Sequence, residues 1–454
     1  MRILFTGDVI LSRGVEDELR LHGDTLFINS VRRTHGGDYV VVNYEGTFTD
    51  SDNAQDDLYN FKADESVTSL LYQSGITHVS IANNHIYDYG RIGYENTLSA
   101  LKKNGITVLG ETSVPVILKK RGHKCAVLSA SLTTNNDSLP ISNIDQLKRT
   151  VEEFREEHPI IPLILYVHWG LEIQPTPEPW QRELAKKLIE SGVNAIIGHH
   201  PHVVQSIEFI HGAPVFYSIG NYVADAYLPD TDFGYCVEAS FTNDVVVKIK
   251  PITLERYFPI EVKATEQFPL IRKILSNSDG ICAFQSKHGW ILKPIESIDF
   301  QEETDLWVFA KNQIIAAIKK TQSGLYLMTL FTQNEKSNTV SLHGQLSKIE
   351  ISDINNDDTL DVLLAISKKV HFDPEYKKRI NIYTFENQNL QPLWLGTKFV
   401  YDIDNFSVFK SGHISYLLTN EVDNSGEKYQ GIYQWDDFGF TLNEMKQLNK
   451  NENN

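Results

Sequence analysis

The sequence predicts an α/β domain followed by an all-β domain, and three observations carry that prediction. Over residues 1–285, short apolar runs alternate with segments of helical spacing, the pattern of layered α/β folds. From residue 290 to 454 the helical spacing fades. Runs such as Leu306–Ala310, Tyr326–Phe331, Arg379–Phe385 and Gly431–Trp435 are separated there mainly by turn residues. Finally, several N-terminal runs stop in side chains that bind metals or carry protons, as strands do when their C-terminal ends face a ligand.

Arg2–Thr6 is a short apolar strand ending in Gly7-Asp8. A lone Asp there could equally cap the next helix. Tyr39–Val42 repeats the pattern and leads into Asn43 and Glu45, which share a side if the strand continues with period two. Asp64–Ser74 is a helix stopped by Gly75. His78–Ala82 is a strand running into Asn83-Asn84-His85, a segment that also suits an Asx turn. Arg91–Lys103 is a helix, and Ile106–Leu109, Val114–Leu118 and Lys124–Ser129 are strands. Asp145–Glu157 is a strongly charged helix, expected to be a solvated face. Ile160–Val167 is a strand that ends at His168, with Glu172 close behind. Glu178–Glu190 is an amphipathic helix with Trp180, Leu184 and Leu188 toward the core.

Ala195–Ile197 then enters Gly198-His199-His200-Pro201-His202, three histidines in four residues after a buried strand. Gly198 is expected to let the backbone turn sharply there, with Pro201 fixing the turn. Ser206–Ile210 and Pro214–Ile219 form a hairpin that brings Asn221 back toward the same place.

Composition narrows the function classes. The chain has 454 residues and a formal net charge of −17, which argues against nonspecific binding to nucleic acid or anionic membrane. Three separated cysteines, Cys125, Cys236 and Cys282, make neither a disulfide framework nor a cysteine zinc site. No signal peptide and no membrane span is expected, so the expectation is a soluble cytoplasmic protein.

Asp8, Glu45, Asn84, His168, His200 and His202 all fall at or just after strand ends. In a parallel sheet such ends lie along one edge and can converge. Mixed carboxylate, amide and imidazole ligands suit a divalent first-row metal, with Mn, Fe or Zn the expected identities. There are ligands enough for two ions ~3.5–4 Å apart. His85, not counted as a ligand, is placed to donate a proton to a leaving group. Asn43, Asn83, Glu172, His199, Gln205 and Asn221 stand around this set as substrate-binding or supporting groups.

The ordered series Gly7-Asp8, Asn43-Tyr44-Glu45, Ala82-Asn83-Asn84-His85, His168-Trp169-Gly170-Leu171-Glu172, Gly198–Gln205 and Ser218–Tyr222 resembles the capsule-synthesis CapA family over about residues 1–260. That family is associated with poly-γ-glutamate capsules and is related to the calcineurin-like metallophosphoesterases. The resemblance implies a metallophosphoesterase-type sandwich, a metal-dependent hydrolase and an anionic small molecule or acidic polymer as substrate. It implies metal binding for Asp8, Asn84, His168, His200 and His202, a catalytic role for His85, and the bridging position for Glu45. Two positions depart from the phosphoesterase pattern: Ile10 stands where a His is expected, and Asn43-Tyr44-Glu45 replaces an Asp motif. The other reading is a non-catalytic protein that binds an acidic polymer through a retained metal.

In the β region, Asp353, Asn355, Asp357 and Asp361 have the spacing of a calcium loop, with Asp358 where a Gly is usual. A metal-free Asx-rich turn fits the same residues. A loose self-similarity at an offset of about fifty residues lies in the range of propeller blades. This domain is expected to position a protein partner or polymer.

Overall fold

In the computed structural model the chain is described throughout except residues 35, 56–58, 134–137, 242–244, 287–288, 299, 301–303, 333–334, 372, 387–388, 397–398 and 449–454. It divides into two compact units. The first is Met1–Ile281 with Ser286–Leu292, and the second is Cys282–Gln285 with Lys293–Asn454.

The first unit is built on two sheets. In one, Arg2–Val9, Tyr39–Tyr44, His78–Ser80 and Thr107–Leu109 run parallel, and Phe233–Phe241 and Val245–Glu255 continue it antiparallel on the far side of Arg2–Val9. In the other, His123–Ser131, Leu163–His168, Ala195–His199 and Ala213–Phe216 are parallel neighbours. The inner faces meet. Phe5 and Tyr166 pack at 5.6 Å between ring centroids. Tyr166 Oη donates to the Thr6 carbonyl at 2.7 Å, and the Ser80 and Ser129 hydroxyls are 2.6 Å apart. The strand ends that carry the candidate ligands thus belong to two facing sheets, where the residue pattern alone puts them along the edge of one.

Helices cover the outer faces because their apolar residues recur at three- and four-residue spacing. Gly14–His22 and Asp24–Thr34 bury Val15, Leu19, Phe27 and Val31 against the first sheet, and Gly90–Lys103 adds Ala100 and Leu101. Ile144–Glu157 is charged, but not a purely solvated element: Leu147, Val151 and Phe154 are buried against the second sheet. Pro179–Glu190 follows a capping box between Glu178 and Gln181 and buries Leu184 and Leu188. Trp180 is only partly buried and packs at the margin of this core.

His78 gives the first sheet a pH dependence. It is 6% exposed, and burial pushes its imidazole from the usual 6.5 down to about 4. The folded state therefore resists a proton that the unfolded chain accepts. This contribution is whole above pH 6.5 and is lost as pH falls toward 4. Between pH 7 and pH 5 the wild type is expected to lose about 2 kcal/mol of stability through His78. Urea unfolding of His78→Asn should show a correspondingly shallower decline, and an identical decline in both proteins would remove His78 as the cause.

The second unit is β-rich. Its described strands include three successive four-stranded antiparallel meanders. These are Leu306–Lys311 to Lys336–Leu342, Gln345–Ser352 to Asn389–Trp394, and Asp402–Ser411 to Phe440–Gln447. The second and third share a core of Leu363, Ile380, Ile382, Phe406, Leu417 and Tyr433.

Candidate metal centre

The centre forms where the parallel strands of both sheets end. Asp8 lies inside its strand, which runs on to Val9, and pairs with Asn43 across the ladder. In the second sheet His168 pairs with His199 in the same way. Asp8 and Glu45 are fully buried, and His168 and His199 are 1% exposed.

Three trios of side chains each bring one ligand atom within 4.8 Å of the others. They are Glu45, His168 and His200; Asp8, Glu45 and His202; and Glu172, His200 and His202. Glu45 belongs to two of them, the two that contain no exposed residue. Its Oε1 lies 3.6 Å from His168 Nε2 and 3.6 Å from His202 Nε2. Asn84 joins the first trio, with Oδ1 2.7 Å from His168 Nε2. Glu172, exposed on its loop, edges the third.

Supporting groups aim these candidate ligands. The Asn43 amide donates to Asp8 Oδ1 at 2.8 Å and lies 3.3 Å from His168 Nδ1. Asn83 donates to the Tyr44 carbonyl at 2.7 Å and to Asn43 Oδ1 at 3.3 Å. The Asn221 amide donates to the Thr231 carbonyl, which turns its Oδ1 toward His202 Nδ1 at 2.9 Å. His202 Nδ1 thereby faces Asn221 and Nε2 faces Glu45; burial would lower this imidazole, but the Glu45 and Asp8 charges outweigh it and raise it. His199 Nδ1 is 3.5 Å from Asp8 Oδ1, and its ring meets the Tyr166 ring edge-on at 4.1 Å. Gln205 is apart from the ligands: its amide holds the Gln174 carbonyl at 2.9 Å.

The turn that presents the histidines differs from the sequence reading. Gly198 is still in the strand, and the left-handed residues are His200, at φ 95°, and His202, at φ 58°. Side chains rarely hold that conformation, and such strain gathers at functional sites. Gly198 is there for closeness instead. A Cβ on it would lie 2.0 Å from the Tyr217 carbonyl oxygen and 2.4 Å from Trp169 Nε1.

The electrostatics suit a cation. Burial and the neighbouring Glu45 raise the Asp8 carboxyl. For Glu45 burial works the same way, but the imidazoles of His202 and His168 outweigh it and keep the carboxyl ionised. Burial pushes His199 and His200 well below the usual imidazole range, so both stay neutral and keep lone pairs. Both Glu45 carboxylate oxygens and His200 Nδ1 are buried without a hydrogen-bond partner. Orphaned acceptors of this kind are costly unless something positive sits beside them. The donor set therefore fits a divalent ion, with Glu45 between two positions.

His85 stands beside the centre. Its Nδ1 is 2.9 Å from Asp88 Oδ2, and its Nε2 is 3.8 Å from Glu45 Oε1. Burial would lower this imidazole, but the Asp88 hydrogen bond and the Glu45 charge overcome it and raise it. The sequence reading gives Asp88 no role, although its three-residue spacing from His85 is an available signal. A cavity of about 940 Å³ opens over His85 and His202, walled by Arg13, Tyr59, Phe61 and Tyr227. Ile10, 4% exposed, also lines it and offers no ligand atom.

Known proteins resemble this chain. A family model described as "Bacterial capsule synthesis protein PGA_cap" matches residues 2–226. The chain is 26% identical over 318 residues to the PGA biosynthesis protein CapA of Bacillus subtilis, covering 64% of this chain and 83% of that protein. It is 27% identical over 246 residues to the capsule biosynthesis protein CapA of Bacillus anthracis, covering 50% and 60%. A probable polyglutamine synthesis accessory protein of Mycobacterium tuberculosis is 26% identical over 169 residues, 32% of this chain and 44% of that one. Among solved structures, TT1561 of Thermus thermophilus aligns with a TM-score of 0.33 at 11% identity, over 52% of this chain and 93% of that one, a likeness too slight to bear on the fold. Through residues 2–226, the chain belongs to the bacterial capsule synthesis protein PGA_cap family.

Proposed function

We propose that the first unit is a metal-dependent hydrolase of metallophosphoesterase type, acting on a phosphoester or an amide-linked acidic polymer in capsule or poly-γ-glutamate synthesis. The observation that carries this reading is Glu45, shared by two candidate ligand trios, with both carboxylate oxygens buried and without a hydrogen bond. Glu45, His168, His200 and Asn84 would hold one ion, and Asp8, Glu45 and His202 the other. Divalent ions held there would supply Lewis-acid chemistry toward a phosphoryl or carbonyl oxygen. The chain's own residues do the rest. Asp88 fixes His85 through Nδ1 and leaves Nε2 to give its proton to the leaving group. Arg13, braced by Asp225 at 2.6 Å, offers a cation to an anionic substrate. The meanders of the second unit are the kind of sheet that propeller blades use, and we read them as blade-like repeats that position a polymer or partner.

A second reading, a metal-assisted binding protein without turnover, is favoured by Ile10, which leaves the Asp8 position one ligand short.

Metal content per chain tests both readings. The wild type is expected to retain up to two transition-metal ions, and His200→Ala to lose at least one. On a panel of phosphoesters and γ-glutamyl amides, His85→Gln should turn over ~10²–10⁴-fold more slowly with its metal intact. Metal without turnover would select the binding protein, and no metal even after it is offered back would end both readings.

A further inference from the structure

We infer that the second unit carries a calcium site, independent of the histidine centre, in the loop between Gln345–Ser352 and Asp361–Val370. Spacing alone would not carry this, because an acidic Asx-rich turn can have the same residues. Two features of the structure do.

The first is Asp361. It opens its strand opposite Ser352, at the mouth of the loop, and is fully buried. Its Oδ2 accepts from the Ile354 amide at 3.2 Å, which turns the carboxylate toward the loop. Its Oδ1 is buried without a hydrogen-bond partner. An orphaned carboxylate oxygen in a rigid ladder, facing further carboxylates, is costly without a cation. Lys410 Nζ, the neighbouring positive group, is 3.7 Å from Asp353 Oδ2, and that lysine is half exposed.

The second is the backbone at Asp358. This is the position at which calcium loops of this type have Gly, and the structure gives it φ 64°. The loop therefore makes the left-handed turn that the motif needs. Asp, one of the few residues that tolerate that region, replaces Gly without changing the path. Asp353, Asn355 and Asp357 supply side-chain oxygens at positions one, three and five of the loop. Thr359 supplies a carbonyl at seven, and Asp361 a carboxylate at nine. All are hard oxygen donors of the kind Ca²⁺ takes. The three carboxylates do not share one 4.8 Å sphere as the trios of the histidine centre do, so binding requires side chains to rotate inward.

The loop also touches the third meander. Asn356 Oδ1 accepts from the Ser415 amide at 2.7 Å, and the Ser415 hydroxyl donates to the Asp353 carbonyl at 2.5 Å. An ion in the loop would fasten the second meander to the third, so its signature is thermal stability rather than activity.

The test is calorimetry on the full chain with CaCl₂ as the probe. About 5 mM Ca²⁺ is expected to raise a thermal transition by roughly 5 °C, and Mg²⁺ at the same concentration by much less. Asp357→Asn, at an exposed position, should fold normally and lose the shift, with calcium affinity down at least tenfold. His200→Ala should keep it, which separates this site from the histidine centre. Asp358→Gly should keep it in full. The inference is overturned if Ca²⁺ gives no shift, if the shift survives unchanged in Asp357→Asn, or if it disappears in His200→Ala.

Discussion

Glu45→Gln is expected to release metal from both positions of the centre at once and to abolish turnover. The expectation follows from its place in the two ligand trios that hold no exposed residue. His168 and Asp8 each stand in one trio. His200 and His202 each stand in two, but for both the second is the trio edged by exposed Glu172. Removing an outer hydrogen-bond partner costs a metal site ~10–100-fold in affinity, and losing a charged shared ligand should cost more. The substitution is nearly isosteric, so packing is little disturbed. In the metal-free protein it also removes a carboxylate that, against burial, the His202 and His168 imidazoles hold ionised, so some stability should be lost without metal, and the further stabilisation by metal should disappear. Loss of that metal-dependent increment marks a ligand, because replacing a merely structural residue would leave the increment in place. Inductively coupled plasma analysis and thermal unfolding with and without chelator measure both halves. Full metal occupancy in Glu45→Gln would sink the shared-ligand assignment.

The candidate ligands are legible in the sequence because their chemistry is unusual for strand ends. Asp8, Asn84, His168, His200 and His202 each follow an apolar run, and the structure brings all five to one place. What the sequence does not convey is the partner of each strand. A run such as Leu163–His168 is apolar almost throughout because both faces are buried, and that says nothing about which sheet it joins. Two sheets therefore read as one edge. The helices at Gly14–His22 and Asp24–Thr34 escape the sequence reading although Val15, Leu19, Phe27 and Val31 keep four-residue spacing within each. The first lacks a side-chain cap, since Arg13 precedes it at φ 56°. Asp88 escapes because a carboxylate in a turn has many ordinary uses, and only its contact with His85 singles it out.

Gly198→Ala is expected to damage the fold severely for a single added methyl. The sequence reading gives Gly198 a conformational role, but its φ is not in the left-handed region and alanine could adopt it without strain. The obstacle is space. The new Cβ would sit 2.0 Å from the Tyr217 carbonyl oxygen and 2.4 Å from Trp169 Nε1, two groups that hydrogen-bond each other at 2.9 Å. Neither is the free end of a flexible chain: one is backbone, and the other belongs to a fully buried ring. Overpacking of a tight core costs about 1–3 kcal/mol, and breaking a buried hydrogen bond adds about as much. A loss of about 4 kcal/mol is the expectation, enough to leave much of a marginally stable chain unfolded at physiological temperature. Gly212→Ala is the natural comparison, because Gly212 has φ 81° with nothing within 4 Å of the added carbon. It should cost only the ~1–2 kcal/mol of a left-handed alanine. Urea midpoints decide the matter, and a Gly198→Ala midpoint equal to wild type would refute the close-packing account. Any folded fraction should also bind metal more weakly. The strand that Gly198 seats against Tyr217 leads directly into His199 and His200, so even a slight shift there moves ligands that the shared carboxylate of Glu45 must reach.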